Sequence, residues 1–279
     1  MVIQTETTIG KILLDTRKRQ RLTQKEVSAG ICSQAMLSSI EHDKYSPNVE
    51  LVIALCQRLA LSLESLSLAQ NYAVSTKADL NSRLEVLCNE HRYTEMLLFL
   101  QSSAILSAIE TPAQTQSYYY YLAIAEFQAS RQIENAYKDL QIALADHKSG
   151  TPLSTLDRLC LASLAFFKSS TGMQKESERL YQQGFAELKN APYAPNLNIL
   201  YYLCAFSAYQ NQNYRKCVQQ LITGIDFITA HDSHYMLANS YYLMAKAAQK
   251  MDDTNKKAEA EQRSAVFKDL FAEKIFTKF

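Results

Sequence analysis

The chain is poor in the residues that interrupt helices, with six Gly and five Pro among 279 residues. A turn-rich all-β fold needs more of both, so helix is favoured. Charge imbalance is missing too. The formal net charge is +1, so no global field draws the chain to nucleic acid, membrane or acidic substrate, and any such binding must rest on a local patch. The six cysteines, Cys32, Cys56, Cys88, Cys160, Cys204 and Cys217, include no C-x-x-C pair, whereas a secreted disulfide framework is denser and more regular. No 18-residue apolar run exists, which excludes a membrane-spanning helix. The opening MVIQTETTIG lacks the charged lead and apolar core of a signal peptide. The expectation is a soluble, cytoplasmic protein with reduced thiols and no membrane partner.

Catalytic signatures are absent as well. There is no Gly-rich phosphate loop and no G-x-S-x-G elbow, so no enzyme activity, catalytic residue or cofactor is expected. His231 and His234 form H-x-x-H without a carboxylate or cysteine at ligand spacing, and they read as surface polar residues rather than a metal site. Cys32 could act as a thiol sensor, but a buried, inert thiol is the simpler reading.

What is present is periodicity. Pro112, Pro152 and Pro192 recur 40 residues apart, as do Ala125, Ala165, Ala205 and Ala245. Four residues before each alanine stand the large Tyr121, Leu161, Tyr201 and Tyr241. A second helical segment follows in each unit, over 133–146, 174–188 and 214–228. The alanine lets its partner helix approach closely, and the proline is expected to end the second helix. Each unit then reads as an antiparallel helix pair, and stacked pairs bury a continuous core. The stretch LYYLCAFSAYQNQNYRKCVQQLITGI resembles a tetratricopeptide repeat. In the preceding unit the inter-helix turn reads as one residue shorter. A degenerate first unit is expected over 76–109 with Tyr93 at its turn, and the final unit decays into the charged AEAEQR of a capping repeat.

Residues before about 70 lack this period. A first helix is expected over 8–20, with Ile9, Ile12, Leu13 and Thr16 on one side. Thr23 is an N-cap whose capping box Glu26 completes. Ser33 opens a helix over 34–41, Pro47 precedes a fourth over 49–59, and Leu63 starts a fifth. In the third helix the outward residues are short and uncharged, as on a face pressed against a partner.

These residues carry a resemblance. TIGKILLDTRKRQRLTQKEV followed by SQAMLSSIEHDKYSPN resembles the XRE-type helix-turn-helix of phage-repressor-like regulators. The resemblance implies that Arg17 on the first helix pairs with Glu41 at the end of the third, and that Gln34, Ala35, Met36 and Ser39 face DNA bases. Gln34 has the bidentate geometry that suits adenine. Arg17, Thr23, Gln24, Ser33 and Lys44 are implied to hold or position phosphates, with the Arg17-Lys18-Arg19 and Arg21 cluster as the local positive patch. Two features depart from the commonest pattern: the 29–32 turn is shorter, and His42-Asp43 replaces Asn-Gly, although Asp tolerates left-handed backbone.

An XRE head joined to tetratricopeptide-like repeats resembles the Rgg/PlcR (RRNPP-type) group of peptide-pheromone-responsive regulators. The expected fold is all-α: a five-helix helix-turn-helix domain over 1–70 and a right-handed helical-repeat solenoid over 71–279. The resemblance implies a cytoplasmic transcriptional regulator that binds a double-stranded DNA operator as a homodimer. Its repeat domain would bind a short signalling peptide in quorum sensing and dimerise, with contacts to RNA polymerase as a further expectation. In tetratricopeptide register the peptide-facing positions are Tyr119, Leu122, Glu126, Phe166, Tyr202, Phe206, Tyr209, Asn239, Tyr242 and Lys246. Rings with polar tips suit a short peptide, and an amide can bond extended backbone through both donor and acceptor. The same rings also fit ordinary inter-helix packing. A ligand-independent XRE-type repressor and a repeat-based scaffold for protein partners remain the alternatives.

Overall fold

The computed structural model describes residues 9–45, 47–61, 72–131, 133–145, 147, 150–271 and 273–277. All regular structure among them is helical. The chain divides into two compact units, residues 1–70 with 269–272, and residues 71–268 with 273–279.

The first unit holds α1 (Ile9–Arg19), α2 (Gln24–Ser28), α3 (Gln34–Glu41) and α4 (Val49–Arg58). Thr8 and the helix expected from Leu63 lie outside the described residues. Sequence-local caps start the helices. Thr23 Oγ1 accepts from the Glu26 N–H at 3.2 Å while the Glu26 carboxylate accepts from the Thr23 N–H at 2.6 Å. Ser33 accepts from Met36 N–H, and Asn48 from Leu51 N–H. Each such cap contributes about 1 kcal/mol. Asp43 closes α3 in left-handed backbone at φ 55°. Leu13, Val27, Leu37, Ile40, Leu55, Cys56 and Leu59 form the core, and each buried leucine contributes about 1.5–3 kcal/mol. Arg58 fastens the end of α2, donating to Glu26 and Ala29 carbonyls at 2.8 Å each.

The second unit is a run of helix hairpins: α5 (Ala78–Asn89) with α6 (Tyr93–Leu100), the short α7 (Ser103–Leu106), α8 (Pro112–Ser130) with α9 (Ile133–Leu144), and α10 (Thr155–Ser170) with α11 (Gln174–Phe185). Then come α12 (Asn198–Gln210) with α13 (Tyr214–Ala230), and α14 (Leu237–Lys250) with α15 (Thr254–Phe271). One continuous core runs through them. Ala125, Ala165 and Ala205 are fully buried and Ala245 is nearly so.

Glycines on the second helices complete the close approach. A Cβ on Gly224 would lie 2.7 Å from Tyr201 Cβ, and one on Gly184 would lie 3.7 Å from Leu161 Cβ. At the end of α11, buried Arg158 donates to the Gly184 and Ala186 carbonyls at 2.7 and 2.6 Å. It thereby satisfies groups the helix leaves open.

Two local expectations are corrected. Pro112 does not end a helix; it begins α8, with Thr111 as N-cap, because its fixed φ suits the first helical position and its missing N–H is one the helix leaves unpaired there. The turns after α10 and α12 are of equal length, 171–173 and 211–213. After α8, Arg131 takes left-handed backbone at φ 58°.

Candidate functional sites

In the first unit α3 buries Leu37, Ile40 and Glu41, all of them beyond its first turn. Gln34, Ala35 and Met36 are exposed at its first turn and Ser39 is half-buried. Ser33 engages the Met36 N–H at 3.1 Å, so this turn is held by its cap.

The other end of α3 is locked. Glu41 is 3% exposed and accepts from Arg17 Nε at 2.5 Å, Arg17 Nη2 at 2.8 Å and Gln24 Nε2 at 2.7 Å. Burial opposes ionisation of Glu41, but the Arg17 and Gln24 bonds and the Arg17 charge outweigh it and hold the carboxyl below its usual range. Hydrogen bonding to Glu41 in turn raises Arg17. Arg17 Nη1 donates to the Leu22 carbonyl at 3.0 Å, so the guanidinium is committed within the domain.

The expected Arg17–Glu41 pair is thus present, and Arg17 spends three of its five N–H donors within the domain. Gln24 Nε2 likewise donates to Glu41. Thr23 and Ser33 hydroxyls serve as caps, and Lys44 is exposed. Lys18, Arg19, Arg21 and Lys25 are exposed and supply the basic surface.

In the second unit the first helices of successive hairpins carry a ladder of rings. Phe127 of α8 meets Phe166 of α10 edge-on at 5.6 Å, and Phe166 stacks on Phe206 of α12 at 5.5 Å and 10°. Tyr202 and Tyr209 flank Phe206 at 6.0 and 6.5 Å. Phe166, Tyr202, Phe206 and Leu122 are buried, because the rings cover one another; they are not open lining. Tyr202 Oη is buried without a hydrogen-bond partner among the described residues.

On α14 the Lys246 ammonium sits over the Tyr242 ring at 5.1 Å. Asn239 was expected to face a peptide, but it is 5% exposed and already bonded to the segment after α15. Asn239 Nδ2 donates to Glu273 Oε1 and the Lys274 carbonyl, and Asn239 Oδ1 accepts from the Phe276 N–H.

Tyr119 is half-buried with its ring against Tyr118. Glu126 sits beside Asp139 of α9, where burial and the Glu126 charge push the Asp139 carboxyl up to about 7. Phe127, Glu273 and Phe276 are participants that sequence reasoning missed. For Phe127 a signal existed, since aromatic residues recur near 127, 166 and 206 at almost the repeat interval.

His231 and His234 also differ from plain surface residues. The His231 ring stacks on Tyr193 at 4.1 Å, and burial lowers His234 to about 4. No cluster of three metal-ligating side chains occurs among the described residues. All six cysteines are free. Burial raises the thiols, including Cys32, which disfavours the reactive thiolate.

Residues 13–66 match the family described as Helix-turn-helix. The whole chain shares its fold with PlcR of Bacillus thuringiensis in complex with the peptide PapR7 and DNA. That likeness has a TM-score of 0.59 and 18% identity, and covers 95% of this chain and 96% of that one. Apo PlcR gives 0.57 and 16% identity, with 95% and 94% covered. ComR from S. thermophilus, in complex with DNA and its signalling peptide ComS, gives 0.50 and 16% identity, with 95% of each chain covered. No curated protein sequence matches the chain. The chain thus carries a helix-turn-helix domain and shares its overall fold with these solved structures.

Proposed function

We propose that the protein is a peptide-responsive transcription regulator: α3 reads an operator in the DNA major groove, and the first-helix face of the repeat unit binds a short signalling peptide. The observation that carries the DNA reading is the asymmetry of α3. Its C-terminal end is locked through Glu41 while Gln34, Ala35 and Met36 stand exposed on a capped first turn. That is how a recognition helix presents its leading residues to base edges. Lys18, Arg19, Arg21, Lys25 and Lys44 add the phosphate attraction. Two copies binding half-sites about 34 Å apart would make the working species a homodimer.

The peptide reading rests on the ring ladder, the unpartnered Tyr202 hydroxyl and the backbone-bonding Asn239. The likeness to two solved regulators whose complexes contain DNA and peptide supports both halves. A ligand-independent repressor is the second reading, favoured by one observation: Asn239 is already satisfied within the chain.

Two assays separate them. Gln34→Ala is expected to weaken binding to a selected operator by roughly ten- to a hundredfold, as for loss of one bidentate base contact, with the melting temperature unchanged. Short synthetic peptides from reading frames beside the gene are expected to include one that stabilises the wild type, by about 2.7 kcal/mol at a hundredfold excess over its Kd. Intact Gln34-dependent binding with no peptide response would establish the second reading.

A further inference from the structure

Past α15 the chain leaves helical structure, and residues 273–277 run along the start of α14. Their contacts are those of a bound peptide. Glu273 lays its carboxylate on the first turn of α14, where Oε2 accepts from the Ala238 N–H at 3.4 Å. Oε1 accepts from the Asn239 N–H at 3.2 Å and from Asn239 Nδ2 at 2.5 Å. Open N–H groups and the helix dipole both favour an anion at that end. Asn239 then reads main chain in both directions, donating to the Lys274 carbonyl at 3.1 Å and accepting from the Phe276 N–H at 2.8 Å. Three residues beyond Glu273, the Phe276 ring meets Phe206 edge-on at 5.8 Å and adds a rung to the aromatic ladder.

We propose that this face recognises an extended peptide carrying a carboxylate and, three residues later, an aromatic ring, and that residues 273–277 hold the site as an internal mimic which such a peptide displaces. The inference rests on the peptide-binding reading and specifies its ligand. Two observations mark the segment as a replaceable occupant. The hydroxyl of Tyr202, 6% exposed and within electrostatic reach of Glu273, has no hydrogen-bond partner among the described residues. The internal segment therefore leaves one polar group of the site unmet, which a better-fitting peptide would satisfy. Burial also raises the Glu273 carboxyl against the pull of its bonds to Asn239 and α14, so the mimic holds its anion at a cost. Tethering supplies the rest, since a segment of the same chain acts at an effective concentration on the order of millimolar.

The test uses the full chain and a fluorescein-labelled, end-blocked peptide, Glu-Lys-Ile-Phe-Thr, followed by anisotropy. The chain carrying Glu273→Gln and Phe276→Ala is expected to bind this probe at least about tenfold tighter than wild type. Replacing the probe's Glu by Gln is expected to weaken binding by about tenfold, as for one charge-assisted contact. Adding Asn239→Ala to the double variant is expected to abolish binding. Equal affinity of wild type and double variant, no binding by the double variant, or binding that survives Asn239→Ala would each overturn the proposal. Should the double variant lose its helical circular dichroism, amide exchange in wild type decides: millimolar probe is expected to speed exchange at the Phe276 N–H, and unchanged exchange refutes displacement. Wild type stabilised by gene-neighbour peptides despite those negative results leaves the peptide reading standing and this inference false. If neither wild type nor variant responds to any peptide, the reading itself fails.

Discussion

Replacing Gly224 by alanine would set a methyl carbon 2.7 Å from Tyr201 Cβ and 3.3 Å from its Cγ. Carbon atoms pack at about 3.5–4.0 Å, and the obstacle is the root of the ring rather than a flexible tip, so α12 and α13 must separate. Overpacking of this kind costs about 1–3 kcal/mol. Alanine restores about 0.8–1 kcal/mol of helix propensity, and the net expectation is a loss of about 1 kcal/mol. Gly184, one repeat earlier, is the internal control. Its added Cβ would meet the Arg158 carbonyl at 3.6 Å and Leu161 Cβ at 3.7 Å, which is ordinary contact, so Gly184→Ala is expected to gain about 0.5–1 kcal/mol from propensity alone. Urea unfolding followed by far-ultraviolet circular dichroism reads both, as midpoints moving in opposite directions with the slope unchanged. If both variants move the same way, or Gly184→Ala is the more harmful, interhelical spacing is not what these glycines set.

Glu41→Gln leaves Arg17 facing a neutral amide and is expected to cost about 2–4 kcal/mol in chemical unfolding, since removing one member strands a largely buried charge. Because the folded state holds Glu41 low, its contribution is present above the unfolded value near pH 4 and is lost as pH falls through the folded one. The Gln variant is therefore expected to lose less stability than wild type on acidification, and parallel acid profiles would refute this. Asp139 has the opposite sign. Its carboxyl is pushed up to about 7 by burial and Glu126, so the penalty for charging it is present above about pH 7 and fades as pH falls toward about 4. Asp139→Asn is expected to stabilise the chain by about 1–3 kcal/mol at pH 8, under a ceiling of about 4 kcal/mol, and to give no benefit near pH 4; a gain independent of pH would count against the paired carboxyls.

The legible parts of this fold are those written locally. Thr23 with Glu26, Ser33 with Met36 and Asp43 at its left-handed position each depend on neighbours within three or four residues. The 40-residue recurrence exposed the hairpins because every repeat solves the same packing problem with the same small residue. What the sequence hid was long-range or aperiodic. Asn239 takes its partners from Glu273, Lys274 and Phe276, which belong to no repeat, so register alone left Asn239 open to an external ligand. Phe166 and Phe206 occupy equivalent positions as expected, yet their mutual stacking buries them, and a helical pattern does not distinguish a ring facing solvent from one facing another ring. Arg17 shows the same limit: its pairing was legible from the resemblance, but the further bond to the Leu22 carbonyl, which takes up the remaining nitrogen, was not.

The lock at the end of α3 bears on how such a regulator can diversify. Arg17, Gln24 and Glu41 hold the helix from one end, while Gln34, Ala35 and Met36 at the other are spared any part in the hydrophobic core. Substitutions at those three positions therefore leave the scaffold's stability nearly untouched. On the proposed reading of α3, duplicated copies of this gene can drift toward new operators one residue at a time, without a compensating change in the domain that carries them.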